Sequence, residues 1–349
     1  MKRRILFMCA LCAFVVAAPA LAEDLLLMNG SVIDGTGKPR LLANIRIKDG
    51  KIADVGLLKP AAGEKTLDVK GMIIGPGFVD FESLGPSAIA TDPAVSSAIS
   101  QGVTTAVLGS DGTGPYLIEE FMLPFDEKPP ALNIALLVGH STVRRQIMGP
   151  DFKRAATPDE LQRMSELVSN AMKQGAFGMG TDLKEEAASF STPDELLALA
   201  KVLVKFGGTF VMKLRDESDK VSDATKEAVA IARDARVPVQ VLTPNKVALA
   251  EIDKARAQRI DIAADSYSFP RFVRDKTVSA ERAIQRMTST PASRMGLRER
   301  GVLKKGTPAD IVVFNPQALQ AGIKYVFVNG TMVIKDAQTT DARAGEALR

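Results

Sequence analysis

The chain has 349 residues, 45 Lys and Arg against 41 Asp and Glu, 46% hydrophobic residues, one histidine, two cysteines and no tryptophan. That length and balance allow a sizeable buried core and exclude a disordered tail, a collagen-like fibre and a disulfide-stapled miniprotein. A metal site built from several imidazoles cannot be made from one histidine, so any catalytic assignment has to accommodate that shortage.

Residues 1–22 place Lys2, Arg3 and Arg4 before an apolar run from Ile5 to Ala18 and a small-residue ending at Ala22. This is the pattern of a secretory signal peptide cleaved after Ala22, and it implies a periplasmic destination. The apolar run is shorter than the ~20 residues of a membrane-spanning helix. Without the three leader cations the remaining chain is close to neutral, and nothing calls for nucleic acid or an anionic membrane as a partner. Cys9 and Cys12 both lie in the leader, which leaves the mature chain no thiol for a disulfide, a nucleophile or a metal site.

From Asp24 onward short apolar runs are punctuated by glycine turns such as Asp49-Gly50, a hairpin texture. ADIVVFNP and IKYVFVNGTMVIKDA repeat that texture near the other end, with Asn329-Gly330 as the turn. The two ends, 23–75 and 300–338, are expected to form one small composite β-domain around a central unit at 76–299.

In that central unit, apolar strands alternate with amphipathic helices. Strands are predicted within 77–83, 104–110, 133–140, 175–181, 208–215, 237–243 and 260–267. Thr157-Pro158-Asp159-Glu160 and Thr192-Pro193-Asp194-Glu195 each set a capping Thr, a first-turn Pro and a Glu at capping-box spacing. Serial β/α units imply a parallel sheet and an α/β class, and the length points to a TIM-type barrel. After Tyr267 the sequence passes directly into SFPRFVRDK, so the barrel is expected to be truncated to about seven strands. Such an open barrel exposes sheet edges, which an oligomer would be expected to cover.

Gly75-Pro76-Gly77-Phe78-Val79-Asp80 and GLRERGVLKKGTPADIVVFNP resemble the metal-dependent amidohydrolase superfamily. Within it, QGVTTAVLGSDG, LLVGHSTVRRQIMG, GAFGMGTDL, LRDE, VPVQVL and the SFPR…AIQRMTSTPASRMGL stretch are similar to the N-acyl-D-amino-acid deacylase (D-aminoacylase) branch, in order and through most of the chain. The resemblance implies a zinc that activates water for attack on an amide carbon, with an aspartate on the eighth strand as general acid/base. Carried across position by position, the family's His-x-His falls on Glu82 and Leu84. Its cysteine falls on Asp111, and its two further histidines fall on Lys213 and Thr243. The eighth-strand aspartate has no counterpart.

These substitutions lead to the expectation of a catalytically degenerate protein without the family zinc, in which the Lys213 ammonium neutralises Glu82 and Asp111. It would bind a small molecule containing an N-acyl or D-amino-acid group, or a partner. His140, Arg144, Arg215, Glu217 and Arg271 are the candidate ligand-binding residues; Arg215 is suited to a bidentate carboxylate contact, with an internal Arg–Glu pair as the alternative. The competing expectation is an active amidohydrolase with a carboxylate site rebuilt on Glu82 and Asp111. No phosphate-binding glycine loop or G-x-S-x-G elbow is present, and the acidic loop at Asp182 to Glu186 is expected to be solvated.

Overall fold

A computed structural model of the chain describes residues 24–82, 84–264, 268–274, 277–318 and 322–349. The leader assigned to 1–22 lies outside the described residues, as does the end of the seventh strand run at 265–267. No helix among the described residues is long and apolar enough to cross a membrane.

The hairpin texture at the two ends forms a single sheet. Strands β1 (Leu25–Val32), β2 (Leu41–Lys48), β3 (Lys51–Gly56), β4 (Thr66–Asp68) and β5 (Ile73–Pro76) come from the first part of the chain. After an intervening α/β layer, β14 (Ile311–Phe314), β15 (Ile323–Val328), β16 (Thr331–Lys335) and β17 (Gln338–Thr339) return to it. The order is β17-β16-β15-β14-β5-β1-β2-β3, and β4 pairs with β1. The join between the two ends is the antiparallel ladder of β5 with β14, from Ile73 opposite Phe314 to Pro76 opposite Ile311. Both expected turns carry the positive φ of primed hairpin turns, at Asp49 (51°) and Gly50 (75°) and at Asn329 (47°) and Gly330 (78°).

The intervening layer contains β6 (Phe78–Asp80), β7 (Val103–Leu108), β8 (Asn133–Leu136), β9 (Val138–Gly139), β10 (Gly178–Asp182), β11 (Thr209–Lys213), β12 (Val239–Val241) and β13 (Ile262–Ala263). Each of the expected apolar runs contributes to it. The run 133–139 is one strand path interrupted at Leu137: its first half pairs with β7 and its second half with β10, both parallel. Among the described residues, the neighbours therefore run from β6 through to β13, all parallel, with no ladder joining β13 to β6. Burial on both faces keeps β7 and β8 fully buried and, apart from Asn133 at the start of β8, apolar or small, as helix-covered parallel strands require. The side of the layer at β6 is covered from within the chain. Phe269, on the helix Phe269–Arg274, stacks on Phe78 at 5.9 Å and meets Phe314 edge-on at 5.5 Å, and the helices Ala280–Met287 and Ser289–Arg294 also pack on β6.

Residues 345–348 run beside β8: Ile134 N donates to Glu346 O at 2.9 Å and Leu348 N to Ile134 O at 2.8 Å. A polar knot fastens this segment to the sheet. Arg300, buried, donates to Asp310 (2.5 Å), Asn329 (2.6 Å) and Glu346 (2.8 Å), and Asn329 Nδ2 donates to Asn133 Oδ1 (2.8 Å).

Both helix starts fold on their Thr caps. Thr157 accepts from Glu160 N, and the Glu160 carboxylate accepts from Thr157 N at 2.8 Å, a complete capping box. Thr192 accepts from Glu195 N at 3.2 Å, but no return bond from the Glu195 carboxylate closes the box. Thr157→Ala and Thr192→Ala are each expected to lower stability by about 1 kcal/mol in urea denaturation.

Candidate functional site

Parallel strands bring their carboxyl ends to one face, and that face collects the side chains that follow β6, β10 and β11. Asp182 and Lys213 are register partners at the last position of the β10–β11 ladder. The pleat sends them to the same side, and Lys213 Nζ lies 3.8 Å from Asp182 Oδ2, with both side chains about a quarter exposed (26% and 20%). Glu82, two residues beyond β6, is in the field of Lys213, Asp80 and Glu217. Loss of solvent pushes its carboxyl above the usual carboxylate range, Asp80 and Glu217 add to that, and Lys213 opposes it. Lys184 completes the group by pairing with Glu217 at 2.9 Å, which raises the Lys184 amine.

Of the expected Lys213 bridge, Glu82 does lie in the field of Lys213, whereas Asp111 is engaged elsewhere. Asp111 accepts from Thr113 N (3.0 Å) and Thr113 Oγ1 (2.8 Å), so its own turn occupies it, while Lys213 pairs with Asp182. Leu84 is half-buried against the main apolar core. Thr243 is exposed, with a φ of 47° that β-branched residues rarely adopt. Among the described residues no group of three or more His, Cys, Asp or Glu side chains comes together to hold a metal, so these five positions do not assemble a ligand shell.

The ligand-binding candidates separate. His140 and Arg144 are both 0% exposed and form one buried network, not a ligand surface. His140 Nε2 meets Glu195 Oε1 and its Nδ1 meets Thr181 Oγ1, each at 2.9 Å. Arg144 Nη1 donates to both Glu195 oxygens, and Nη2 donates to Phe152 O (2.9 Å) and Arg154 O (2.7 Å). A carboxylate, an imidazole and a hydroxyl in sequence resemble a nucleophilic relay, but Thr181 is also 0% exposed and no substrate reaches it. Burial alone would raise the Glu195 carboxyl; the hydrogen bonds and charges of His140 and Arg144 hold it below its ordinary value.

Arg215 takes the internal pairing: two bonds to Glu227 (3.0 and 3.2 Å) and two to the carbonyls of Ser189 and Ser191 use its fork. Glu217 remains at the strand ends, and Arg271 is exposed on the 269–274 helix. Sequence reasoning set Asp182 and Lys184 aside as a solvated loop. The signal that places them is the β10–β11 register, which a linear pattern of strands does not supply.

A family model described as the amidohydrolase family matches residues 255–334. The D-aminoacylase of Alcaligenes xylosoxydans xylosoxydans is 32% identical over 280 residues, covering 70% of this chain and 57% of that protein. The N-acyl-D-glutamate deacylase of the same organism is 30% identical over 282 residues, covering 71% and 57%. The chain thus spans little more than half the length of these curated relatives. A solved D-aminoacylase, described for the functional role of its binuclear metal centre, superposes with a TM-score of 0.85 at 26% identity over 94% of this chain and 100% of that one. The N-acyl-D-glutamate deacylase of Bordetella bronchiseptica, solved with zinc and a phosphonate inhibitor, matches in fold with a TM-score of 0.85 at 24% identity over 94% and 100%.

These relatives correct the expectation of a lost zinc. Similar solved proteins are described by a binuclear metal centre and by bound zinc, so the chain's kin are metal-using enzymes. Substitution at five positions removes imidazole and thiolate donors there and does not establish that the metal is gone. On the shared sequence and the shared fold, the chain belongs to the D-aminoacylase branch of the amidohydrolases.

Proposed function

We propose that the chain is a deacylase-like amidohydrolase protein that binds an N-acylated D-amino acid at the carboxyl ends of its parallel strands and turns it over far more slowly than the full-length deacylases. The α/β layer is taken as a TIM-type barrel one strand short, seated on a composite β-domain; the seven parallel strand paths among the described residues, with no ladder joining β13 to β6, support this. The observation that carries the binding role is Lys213, a cation at the end of β11 held loosely by Asp182 at 3.8 Å. An ammonium so placed receives a ligand carboxylate or amide oxygen through a charge-assisted hydrogen bond. Slow turnover follows from the engagement of the neighbouring groups: Asp111 is held by its turn, Arg215 by Glu227, and His140 by Glu195.

The position of Glu82 at the strand ends, within the field of Lys213, favours a second reading, an active carboxylate site. There, ionised Glu82 would take a proton from water as the water oxygen bonds to the amide carbon, with Lys213 stabilising the oxyanion. The C–N bond would then break as the proton passes to the leaving amine.

Amine release from N-acetyl-D-leucine by the purified full chain, with and without added zinc, distinguishes the two when run beside a full-length deacylase, with binding measured by calorimetry. Binding with turnover reduced by at least about 10²–10⁴-fold, the contribution of a positioned acid/base, is the expected result. Comparable turnover abolished in Glu82→Gln would establish the second reading. Comparable turnover that survives Glu82→Gln sinks both, and absence of binding removes the ligand-binding role.

A further inference from the structure

We propose that the chain has a second ligand site, independent of the strand-end face, which takes a small zwitterion of the amino-acid class. It is a cleft of about 390 Å³ lined by Asp49, Lys51, Asn329, Thr331, Arg343 and Glu346. That volume falls at the low end of the ~300–1,000 Å³ typical of small-molecule sites. Three stretches far apart in sequence build the cleft: the turn between β2 and β3, the turn between β15 and β16, and the segment beside β8. Pro129 precedes β8, and the Glu346 carbonyl accepts from Ile134 N near its start, so the cleft lies at the amino ends of the parallel strands, away from Lys213. The two turns meet main chain to main chain. A Cβ on Gly330 would stand 2.7 Å from Gly50 Cα, so no side chain fits between them.

The polar knot described above gives this cleft a fixed wall. Asn329 spends its side chain on Arg300, Asn133 and the Ala344 carbonyl, and Arg300 holds Glu346 through Oε2. The remaining charges are not satisfied within the chain. Among the described residues, Lys51 and Asp49 form no side-chain ion pair, and the Arg343 guanidinium makes one hydrogen bond, to its neighbour Ala342 O at 3.2 Å. Two cations and two carboxylates therefore line one small cleft without pairing across it. A ligand that carries both signs bridges them: its carboxylate is received by the Arg343 fork and Lys51, its ammonium by the carboxylates of Asp49 and Glu346, through charge-assisted hydrogen bonds. An ion of one sign gains half of these contacts and meets repulsion from the other half, which is the source of selectivity. A bound zwitterion ties both turns to the 343–346 segment, so binding also stabilises the folded chain.

The test is calorimetric titration of the full chain with D-alanine, propionate and ethylammonium, probes of similar size that carry both charges, the carboxylate alone and the ammonium alone. D-Alanine is expected to bind at least about tenfold more tightly than either of the others and to raise the thermal unfolding temperature. Arg343→Gln and Asp49→Asn, at half-buried and exposed positions, are each expected to weaken D-alanine at least about tenfold. N-Acetyl-D-leucine, which has no ammonium, is expected to bind both variants as it binds wild type. Absence of saturable D-alanine binding overturns the site, and so does D-alanine that binds both variants as tightly as wild type. Equal affinity for propionate or ethylammonium overturns the zwitterion preference, and loss of N-acetyl-D-leucine together with D-alanine in a folded variant overturns the independence of the two sites. The strand-end reading is judged by N-acetyl-D-leucine on wild type, so its failure is separate from that of the cleft.

Discussion

Glutamine at position 195 is expected to cost about 3–5 kcal/mol of folding free energy, because it leaves the Arg144 guanidinium buried without its counter-charge. Glu195→Gln preserves shape and removes the one carboxylate that both Arg144 and His140 use. The two carbonyls that also receive Arg144, those of Phe152 and Arg154, satisfy protons but do not neutralise charge. Urea denaturation at neutral pH measures the loss, and a cost below about 1 kcal/mol would place the network among dispensable surface pairs. A pH series adds a second signature. The folded Glu195 carboxyl lies below its ordinary value, so its contribution is present above the unfolded pKa and is lost as pH falls toward the folded one. Wild type should therefore lose stability in acid more steeply than Glu195→Gln.

A single methyl group at Gly180 is the second large effect, at about 2–3 kcal/mol. A Cβ there would sit 2.0 Å from Gly109 O and 2.9 Å from Ser110 Cα, so it collides with the backbone that leads into the Asp111 turn. No flexible side chain can yield at that point. Gly180→Ala must push β10 away from the end of β7, and with it the Asp182 end of the pair to Lys213. Thermal unfolding is expected to shift downward, and ligand binding to weaken in parallel. Gly85→Ala is the control, since nothing lies within 4 Å of its Cβ position, and it should remain within about 0.5 kcal/mol of wild type.

The difference between these two sites and the sequence expectations shows what a linear pattern contains. The hairpin turns at Asp49-Gly50 and Asn329-Gly330 were legible because the required positive φ selects residue types locally. The strand runs and the helix caps were legible for the same reason, through short periods and fixed spacings. Glu195 stands at the capping-box position, yet its carboxylate turns inward to two residues more than fifty positions earlier, which no local spacing reveals. Asp182 meets Lys213 only because two strands pair in one register. Arg215 illustrates the reverse case: the sequence offered a ligand clamp or an internal pair, and Glu227, nearly two turns into the next helix, decides for the latter. The segment at 345–348 had no strand pattern to announce its place beside β8.

The ladder between β5 and β14 also bears on how the chain reaches its native state. Ile73 to Pro76 cannot find Phe314 to Ile311 until the whole intervening layer has been synthesised, so the first strands carry an unpaired, apolar edge throughout that interval. Pairing across so great a sequence separation is slow to form and exposed to association with other chains in the meantime. During biogenesis the early strands must therefore be kept from wrong partners until the last hairpins arrive to close the sheet.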